Sequence, residues 1–271
     1  MTTLHNPARE KLAAGELALG FTVRMVRSVE IAPAAKAAGF DWLFLDCEHG
    51  SLGLDAAAQI AVAGLEAGIA PIARVPNGEY AIATRLLDNG VLGIVVPHVD
   101  TEDEAREVVQ RLKYPPVGHR SIGGIGPHYG LTSLKIGAAA AAMNAANLIV
   151  VMLETPEAIR NADAIAAVNG VDVLLIGTND LSFEMGIPGE FSNARVVEAY
   201  ENTINACRNH GKHAGMGGIY AEDIMERYIR MGARFNLAGG DQAFMMAAAA
   251  NRSAALHRML PRDHGQPRHG A

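Results

Sequence analysis

The chain alternates between helix-like stretches and short apolar runs, and one kind of junction recurs eight times. At each junction a helix-like stretch ends at glycine, or once at asparagine, and an apolar run of strand length follows. Glycine is favoured directly after a helix because that position often needs a positive φ, where a Cβ is penalised. The eight copies are AAGELALGFTV, AAGFDWLFLD, EAGIAPIARV, DNGVLGIVVPHV, AANLIVVMLE, VNGVDVLLIG, NHGKHAGMGGI and MGARFNLAGGD.

The apolar runs lack an alternation of apolar and polar residues, as is typical of parallel strands covered on both faces. Helical patterns lie between them, for example over 101–114, 155–168 and 195–211. Eight strand-then-helix units predict an α/β fold, a (β/α)8 TIM barrel. A doubly wound open sheet is the alternative, but no glycine-rich dinucleotide loop follows the first predicted strand. We expect one barrel domain over 1–260 and a disordered tail over 261–271.

Composition narrows the class of function. The 271 residues are 49% hydrophobic, enough for one large domain with a substantial core. The net charge of −6, without a run of Lys or Arg, makes nucleic acid an unexpected partner. The best candidate for a membrane span, 136–153, is mostly alanine and is interrupted by asparagines, so none is predicted. Two cysteines and no secretion signal favour a reduced, cytoplasmic location.

Polar residues follow the predicted strands, and the active sites of such barrels lie at the carboxyl ends of the strands. His98, after the fourth strand, is expected either in the pocket or in the core. In chain order the strand ends deliver Thr22 with Arg24, Asp46 to His49, Arg74, His98, Met152 with Glu154, Asn179 with Asp180, and the segments GMGG and AGGD.

Two acidic residues, Glu154 and Asp180, indicate a metal site. Each follows an almost wholly apolar strand, and two ionised carboxylates close together need a cation. Oxygen ligands favour Mg²⁺, Mn²⁺ or a similar hard ion. The alternative is that both residues cap helices. It suits Asp180 better than Glu154, because Thr155 already provides a good N-cap after Glu154.

The segment DCEHG after the second strand offers several candidates. His49 is a candidate general base held by Asp46 or Glu48. Arg74, after the third strand, either binds a carboxylate or an oxyanion, or pairs with Asp46 or Glu48. Cys47 is a candidate nucleophile, but we favour packing in the barrel wall, because cysteine is commonly buried.

Lysine is placed unfavourably for imine chemistry. None of the five lysines falls at the carboxyl end of a predicted strand, so a Schiff-base mechanism is disfavoured and carbonyl chemistry would need a metal. They are Lys11, Lys36, Lys113, Lys135 and Lys212.

Several motifs, taken in order, resemble the class II pyruvate aldolases of the HpcH/HpaI family. They are FDWLFLDCEHG, ARVP, LLDNGVLGIVVPHV, VMLETPEAIRNADAI, LLIGTNDLSFEMG and GKHAGMGG, within the stretch 8–245. The resemblance implies a metal-dependent lyase that cleaves 4-hydroxy-2-oxo acids reversibly to pyruvate, or a close 2-oxo acid, and an aldehyde. It also implies a closed homo-oligomer, a hexamer or trimer of dimers, with the last helix packed on a neighbouring barrel.

The resemblance also implies roles for individual residues. Glu154 and Asp180 look like the ligands of a divalent Mg²⁺, Mn²⁺ or Co²⁺ ion. His49, oriented by Asp46, resembles the catalytic base. Arg74 resembles the residue that stabilises the enolate oxygen.

Further implied roles concern substrate binding. The backbone amides of Asn179 and Asp180 would hold the pyruvate carboxylate, and Asp88 resembles a residue that reaches a neighbouring subunit's site. Two residues depart from well-known members. Met152 stands in place of a glutamine beside the metal-binding glutamate, and Gly217 replaces a bulky aliphatic residue near the aldehyde pocket.

Two other classes of function compete with this expectation. One is a related metal-dependent lyase acting on an acyl-CoA or citryl-type substrate, which should carry a basic surface for the nucleotide phosphates. The other is a barrel that only binds a small oxo acid. The presence together of His49, Arg74, Glu154 and Asp180 favours an enzyme.

Overall fold

Eight parallel strands close into a barrel in the order β1 to β8, which confirms the predicted (β/α)8 fold. The computed structural model describes residues 4–124, 126–132 and 134–259, so the predicted tail over 261–271 lies outside the described residues. The strands are β1 (Ala18–Val23), β2 (Trp42–Asp46), β3 (Ala70–Arg74), β4 (Gly93–Val96), β5 (Leu148–Leu153), β6 (Val173–Gly177), β7 (His213–Gly217) and β8 (Ala233–Gly240).

Helices surround the barrel and alternate with the strands. They are α1 (Pro7–Ala13), α2 (Ile31–Ala37), α3 (Leu54–Ala67), α4 (Tyr80–Asp88), α5 (Glu102–Leu112), α6 (Ile136–Ala146), α7 (Pro156–Arg160), α8 (Ala162–Ala167), α9 (Thr178–Glu184), α10 (Ala194–Asn209), α11 (Glu222–Met231) and α12 (Asp241–His257).

The predicted helix over 155–168 is broken into α7 and α8. The break falls at Asn161, whose side chain donates a hydrogen bond of 2.7 Å to the backbone carbonyl of Asp100. Asparagine weakens helix interiors because its amide competes for backbone partners, and here that tendency ends the helix. At another junction the expected glycine cap is present, since Gly68 ends α3 with a φ of 69°.

One end of the barrel interior is filled by aromatic side chains. Trp42 stacks on Phe235 with ring centroids 4.0 Å apart, and its indole N–H donates to the carbonyl of Ala18. The large ring fits because residue 20 is glycine, where an added Cβ would lie 2.3 Å from the Trp42 ring. Because the tryptophan side chain is near the amino ends of the strands, free space in the barrel lies towards their carboxyl ends.

The register between parallel strands places charged residues at the ends of neighbouring strands side by side. Asp46 at the end of β2 is the Cα partner of Arg74 at the end of β3. On the other side of the barrel, Gly177 of β6 pairs with Gly217 of β7. Parallel strands in this register therefore present their last residues to one shared opening, as the sequence pattern predicted.

The last helix, α12, carries exposed apolar side chains. Met245 and Met246 are 48% and 56% exposed, and Leu256 is 50% exposed. Phe244 is also 44% exposed, although its ring contacts the barrel, with its centroid 5.8 Å from that of Phe21. Packing of α12 on a neighbouring barrel stays a prediction. Among the described residues, no helix combines the length and the hydropathy needed to cross a membrane.

Candidate active site

A cavity of about 180 Å³ opens at the carboxyl ends of the strands. All the predicted site residues except Asp88 line it, and they come from β2, β3, β5, β6, β7 and the residues that follow them. These lining residues are Asp46, His49, Arg74, Glu154, Asn179, Asp180 and Gly217.

A bidentate ion pair lies on one wall of the cavity. Arg74 Nε is 3.0 Å from Asp46 Oδ1, and Arg74 Nη2 is 2.8 Å from Asp46 Oδ2. Burial alone would raise the pKa of Asp46, but the hydrogen bond and charge of Arg74 outweigh it, and the pKa is lowered. Burial opposes the charge of Arg74 as well, yet Asp46 and Glu48 hold its pKa above the usual value. Both groups are therefore ionised, and Arg74 is at once an ion-pair partner and a cavity-lining cation.

His49 lies at the rim of the cavity. Its ring is 59% exposed, and its Nε2 lies 3.6 Å from Glu48 Oε2. The family resemblance assigns to Asp46 the orientation of the His49 ring. In the structure, Asp46 instead accepts the backbone N–H of His49 at 3.2 Å. Glu48 is thus the carboxylate nearest to the imidazole, while Asp46 holds the loop from which His49 projects.

Glu154 is a buried carboxylate directly after β5, with 1% of its surface exposed. It does not cap α7, because Thr155 does so by accepting the N–H of Ala158. The backbone N–H of His98 donates 2.9 Å to Glu154 Oε2. Burial raises the pKa of Glu154, and the charge of Asp180 adds to the rise against the lowering effects of His98 and Arg74. A second carboxylate near a buried one is the arrangement that a cation stabilises.

Asp180 is the third residue of α9, whose N-cap is Gly177. An added Cβ at Gly177 would lie 2.5 Å from Glu154 Oε1, so glycine is needed for the Glu154 carboxylate to lie against this backbone. No group of three or more His, Cys, Asp or Glu side chains within 4–124, 126–132 and 134–259 is arranged to hold a metal ion. The Glu154–Asp180 pair fits a hard divalent ion whose remaining ligands come from outside the chain.

His98 lies at the surface, neither in the core nor among the residues that line the cavity. Its φ of 49° falls in the left-handed region, which non-glycine residues rarely adopt. This backbone directs an N–H to Glu154, and the His98 Nδ1 lies 3.6 Å from Glu154 Oε2. The His98 backbone thus holds one oxygen of the Glu154 carboxylate in place.

Asp88 lies apart from this cavity, at the end of α4. It forms an ion pair with Arg120, with 2.5 Å between Asp88 Oδ1 and Arg120 Nη2, and the Arg120 side chain is only 1% exposed. Both residues line a second, more apolar cavity beside α6. A role for Asp88 in a neighbouring subunit's site stays a prediction.

Met152 and Gly217, the two residues that depart from well-known family members, both line the cavity. Tyr220 and Leu237 line it as well, and neither was predicted from the sequence. An added Cβ at Gly217 would meet Leu237 Cδ1 at 3.3 Å, so a bulkier residue would fill this side. Tyr220 could have been found from the sequence, because it is an aromatic residue two positions after the GMGG segment. Leu237 could not, because it reads as one more strand residue.

Cys47 packs against the core, as expected. Burial, helped by the negative charge of Asp46, raises its pKa to about 11, so the thiol stays protonated at neutral pH and is a poor nucleophile. Cys47→Ala should therefore keep kcat/KM, for the cleavage that the family resemblance implies, within about threefold of wild type, the range of a small packing change. A steady-state assay checks this. A folded Cys47→Ala variant without activity would contradict it.

Comparison with known proteins identifies the family. A model of the HpcH/HpaI aldolase/citrate lyase family matches residues 26–248. The chain belongs to this family. Among its relatives is a 4-hydroxy-4-methyl-2-oxoglutarate aldolase of Chaetomium globosum, 40% identical over 94% of this chain and 96% of that protein. Another is a hydroxypyruvate/pyruvate aldolase of Cupriavidus necator, 33% identical over 96% of this chain and 95% of that protein.

Solved structures agree with the family assignment. An HpcH/HpaI aldolase from Desulfitobacterium hafniense superposes with a TM-score of 0.87 at 28% identity. The match covers 95% of this chain and 98% of that one. The (β/α)8 barrel of this chain is therefore the fold of that HpcH/HpaI aldolase, whereas the extent of the barrel domain over 1–260 stays a prediction.

Proposed function

We propose that this protein is a class II aldolase that reversibly cleaves 4-hydroxy-2-oxo acids to pyruvate, or a close 2-oxo acid, and an aldehyde or similar carbonyl compound. The observation that carries the proposal is the convergence of Arg74, His49 and the Glu154–Asp180 pair on one cavity of an HpcH/HpaI barrel. Cleavage of the C3–C4 bond needs a proton acceptor at the C4 hydroxyl and positive charge at the C2 oxygen, and these residues offer both.

Arg74 is the group that we assign to the C2 oxygen. Its guanidinium is fixed by Asp46 and lies 5.1 Å from the centroid of the Phe44 ring, so it is preorganised before substrate binds. A donor fixed in this way pays little reorganisation when negative charge develops on the enolate oxygen.

His49 is the group that we assign to the C4 hydroxyl. An imidazole at the rim can accept the hydroxyl proton as the C–C bond breaks, and its exposure allows the proton to pass on to solvent. Glu48, 3.6 Å away, would stabilise the protonated ring.

Glu154 and Asp180 would hold a divalent Mg²⁺, Mn²⁺ or Co²⁺ ion, with oxygens of the 2-oxo acid completing its ligands. Such an ion, when bound, polarises the substrate carbonyl as a Lewis acid. The backbone amides of Asn179 and Asp180 would receive the carboxylate of the 2-oxo acid. We also propose that the protein is a homo-oligomer that assembles through α12 and in which Asp88 reaches the site of a neighbouring subunit. The proposed location is the cytoplasm.

A substrate panel tests the proposed function. Purified protein is incubated with Mg²⁺ and, in turn, with 4-hydroxy-2-oxopentanoate, 4-hydroxy-2-oxoheptanedioate and 4-hydroxy-4-methyl-2-oxoglutarate. Lactate dehydrogenase then measures the 2-oxo acid released, and a separate assay measures its carbonyl partner. Equal amounts of pyruvate and aldehyde from the first two substrates support the aldolase, and so do two pyruvates per molecule of 4-hydroxy-4-methyl-2-oxoglutarate consumed, because its carbonyl partner is itself pyruvate. Turnover of citryl-CoA alone would support the acyl-CoA or citryl-type lyase instead, and tight binding of pyruvate without turnover would support a binding protein.

Removal of metal gives a second expected result. EDTA should abolish cleavage and Mg²⁺, Mn²⁺ or Co²⁺ should restore it. An imine route is not expected, because the nearest lysine to a strand, Lys212, donates to the carbonyls of Val168 and Val171 at the opposite end of the barrel. The measurement is the initial rate after dialysis and after each addition. Full activity in EDTA, or pyruvate trapped on the protein by borohydride, would rule this chemistry out.

A further inference from the structure

A second guanidinium lies at the mouth of the cavity without a role in the chemistry described above. Arg24 follows β1 directly, lines the cavity, and keeps 41% of its side chain exposed. In a closed barrel of eight strands, β1 lies opposite β5, which delivers Glu154. Arg24 is therefore across the mouth from the carboxylate pair, with Arg74 and His49 on the wall between them.

The backbone that carries Arg24 is held in place by Asp241, the first residue of α12. The Asp241 carboxylate accepts three consecutive backbone N–H groups, from Arg24 at 3.2 Å, Met25 at 2.9 Å and Val26 at 2.7 Å. The side chain is anchored as well, since Arg24 Nη2 donates 3.0 Å to the carbonyl of His49. A fixed guanidinium loses little freedom when it binds an anion.

Asp46 does not require the charge of Arg24. Arg24 Nε lies 3.2 Å from Asp46 Oδ2, but both Asp46 oxygens are already paired with Arg74. The backbone N–H groups of Glu48 and His49 also donate to Asp46 Oδ1. A guanidinium has five N–H donors, and the contacts to Asp46 and His49 use only two of them. The remaining donors and the charge are available to a ligand in the cavity.

We propose that Arg24 binds a carboxylate on the carbonyl partner, so that the enzyme prefers substrates with an anionic group on the C4 side. This inference rests on the proposed function, because a carbonyl partner exists only in an aldol reaction. The 2-oxo acid would lie towards Glu154 and the partner towards Arg24. A guanidinium matches a carboxylate in shape and charge, and a neutral partner would leave its donors unpaired.

The competing explanation is that Arg24 only ties the loop after β2 to the loop after β1. Arg27 offers a matched control for this role. Its Nη2 donates 2.8 Å to the carbonyl of Ser51 in the same loop, but it is not among the residues that line the cavity. Loss of a loop contact alone should thus be reproduced by Arg27→Met.

The test compares anionic and neutral partners in condensation with pyruvate. Glyoxylate is compared with glycolaldehyde, and succinic semialdehyde with butanal, for wild type, Arg24→Met, Arg24→Lys and Arg27→Met. In Arg24→Met the ratio of kcat/KM for the anionic over the neutral partner should fall by about 30- to 100-fold in at least one pair. Arg24→Lys should retain part of the ratio. Arg27→Met should keep the wild-type ratio.

Three outcomes would overturn the proposal. The first is a fall in both rates by the same factor in Arg24→Met, which shows a structural contact. The second is a wild-type enzyme that prefers the neutral partner in both pairs. The third is an equal change of the ratio in Arg27→Met. A wild-type protein that condenses pyruvate with none of the four partners would instead contradict the proposed function itself, and is distinguished by that total lack of reaction.

Discussion

Arg74→Met is expected to slow both aldol cleavage and the exchange of pyruvate methyl protons with solvent by about 10²–10³-fold. Both reactions pass through an enolate, and the guanidinium of Arg74 is the fixed cation that we assign to its oxygen. Methionine resembles the aliphatic part of the arginine side chain and removes the charge. The measurement is deuterium incorporation into pyruvate by NMR, run beside a coupled cleavage assay.

A companion variant separates this chemical role from the ion pair. Arg74→Met alone leaves Asp46, 1% exposed, without its main partner, and should cost about 3–5 kcal/mol of stability. Combining it with Asp46→Asn removes the unpaired charge. We expect the double variant to regain much of the melting temperature but none of the exchange activity. Wild-type exchange in Arg74→Met would show that Arg74 is only a structural partner of Asp46.

Glu154→Gln is expected to abolish metal binding and to lower cleavage by at least about 10³-fold, since a Lewis acid is worth several kcal/mol at the transition state. Glutamine keeps the size of the side chain and an oxygen for the His98 N–H. Because it removes a buried charge close to Asp180, the metal-free protein should be at least as stable as wild type. Calorimetric titration with Mn²⁺ and thermal melts in EDTA measure these two effects.

Glu157→Gln is the matched control for this experiment. Glu157 lies three residues on, exposed in the first turn of α7, so its loss should leave Mn²⁺ affinity and cleavage unchanged. If Glu154→Gln still binds Mn²⁺ as tightly as wild type, the metal ligands have been misassigned.

The barrel and the set of residues around its mouth could be predicted because both follow from local patterns. Apolar runs after glycine mark the strands, and a residue that follows a parallel strand lies at the shared carboxyl face. Glu154 could be separated from a helix cap because Thr155 and Pro156 already form one. Asp46 and Arg74 could be expected to meet because they end two neighbouring parallel strands.

Contacts that depend on distant parts of the chain could not be predicted. Asp88 is bound to Arg120, 32 positions away, and nothing near Asp88 in the sequence indicates that partner. Asp241 binds three amides after β1, although it is more than 200 residues distant from them. The choice of Glu48 over Asp46 as the neighbour of the His49 ring depends on side-chain rotamers, which a sequence pattern does not specify.

Cleavage in D₂O tests the central claim most directly. A 4-hydroxy-2-oxo acid that the enzyme accepts, and whose carbonyl partner is not itself pyruvate, is incubated in D₂O with Mg²⁺, and the products are followed by proton NMR at early times, before the methyl group of free pyruvate exchanges. The account predicts pyruvate with one deuterium in its methyl group and an equal amount of the carbonyl partner, because solvent protonates the enolate at C3. Release of pyruvate without deuterium, or loss of substrate without a carbonyl partner, would contradict it.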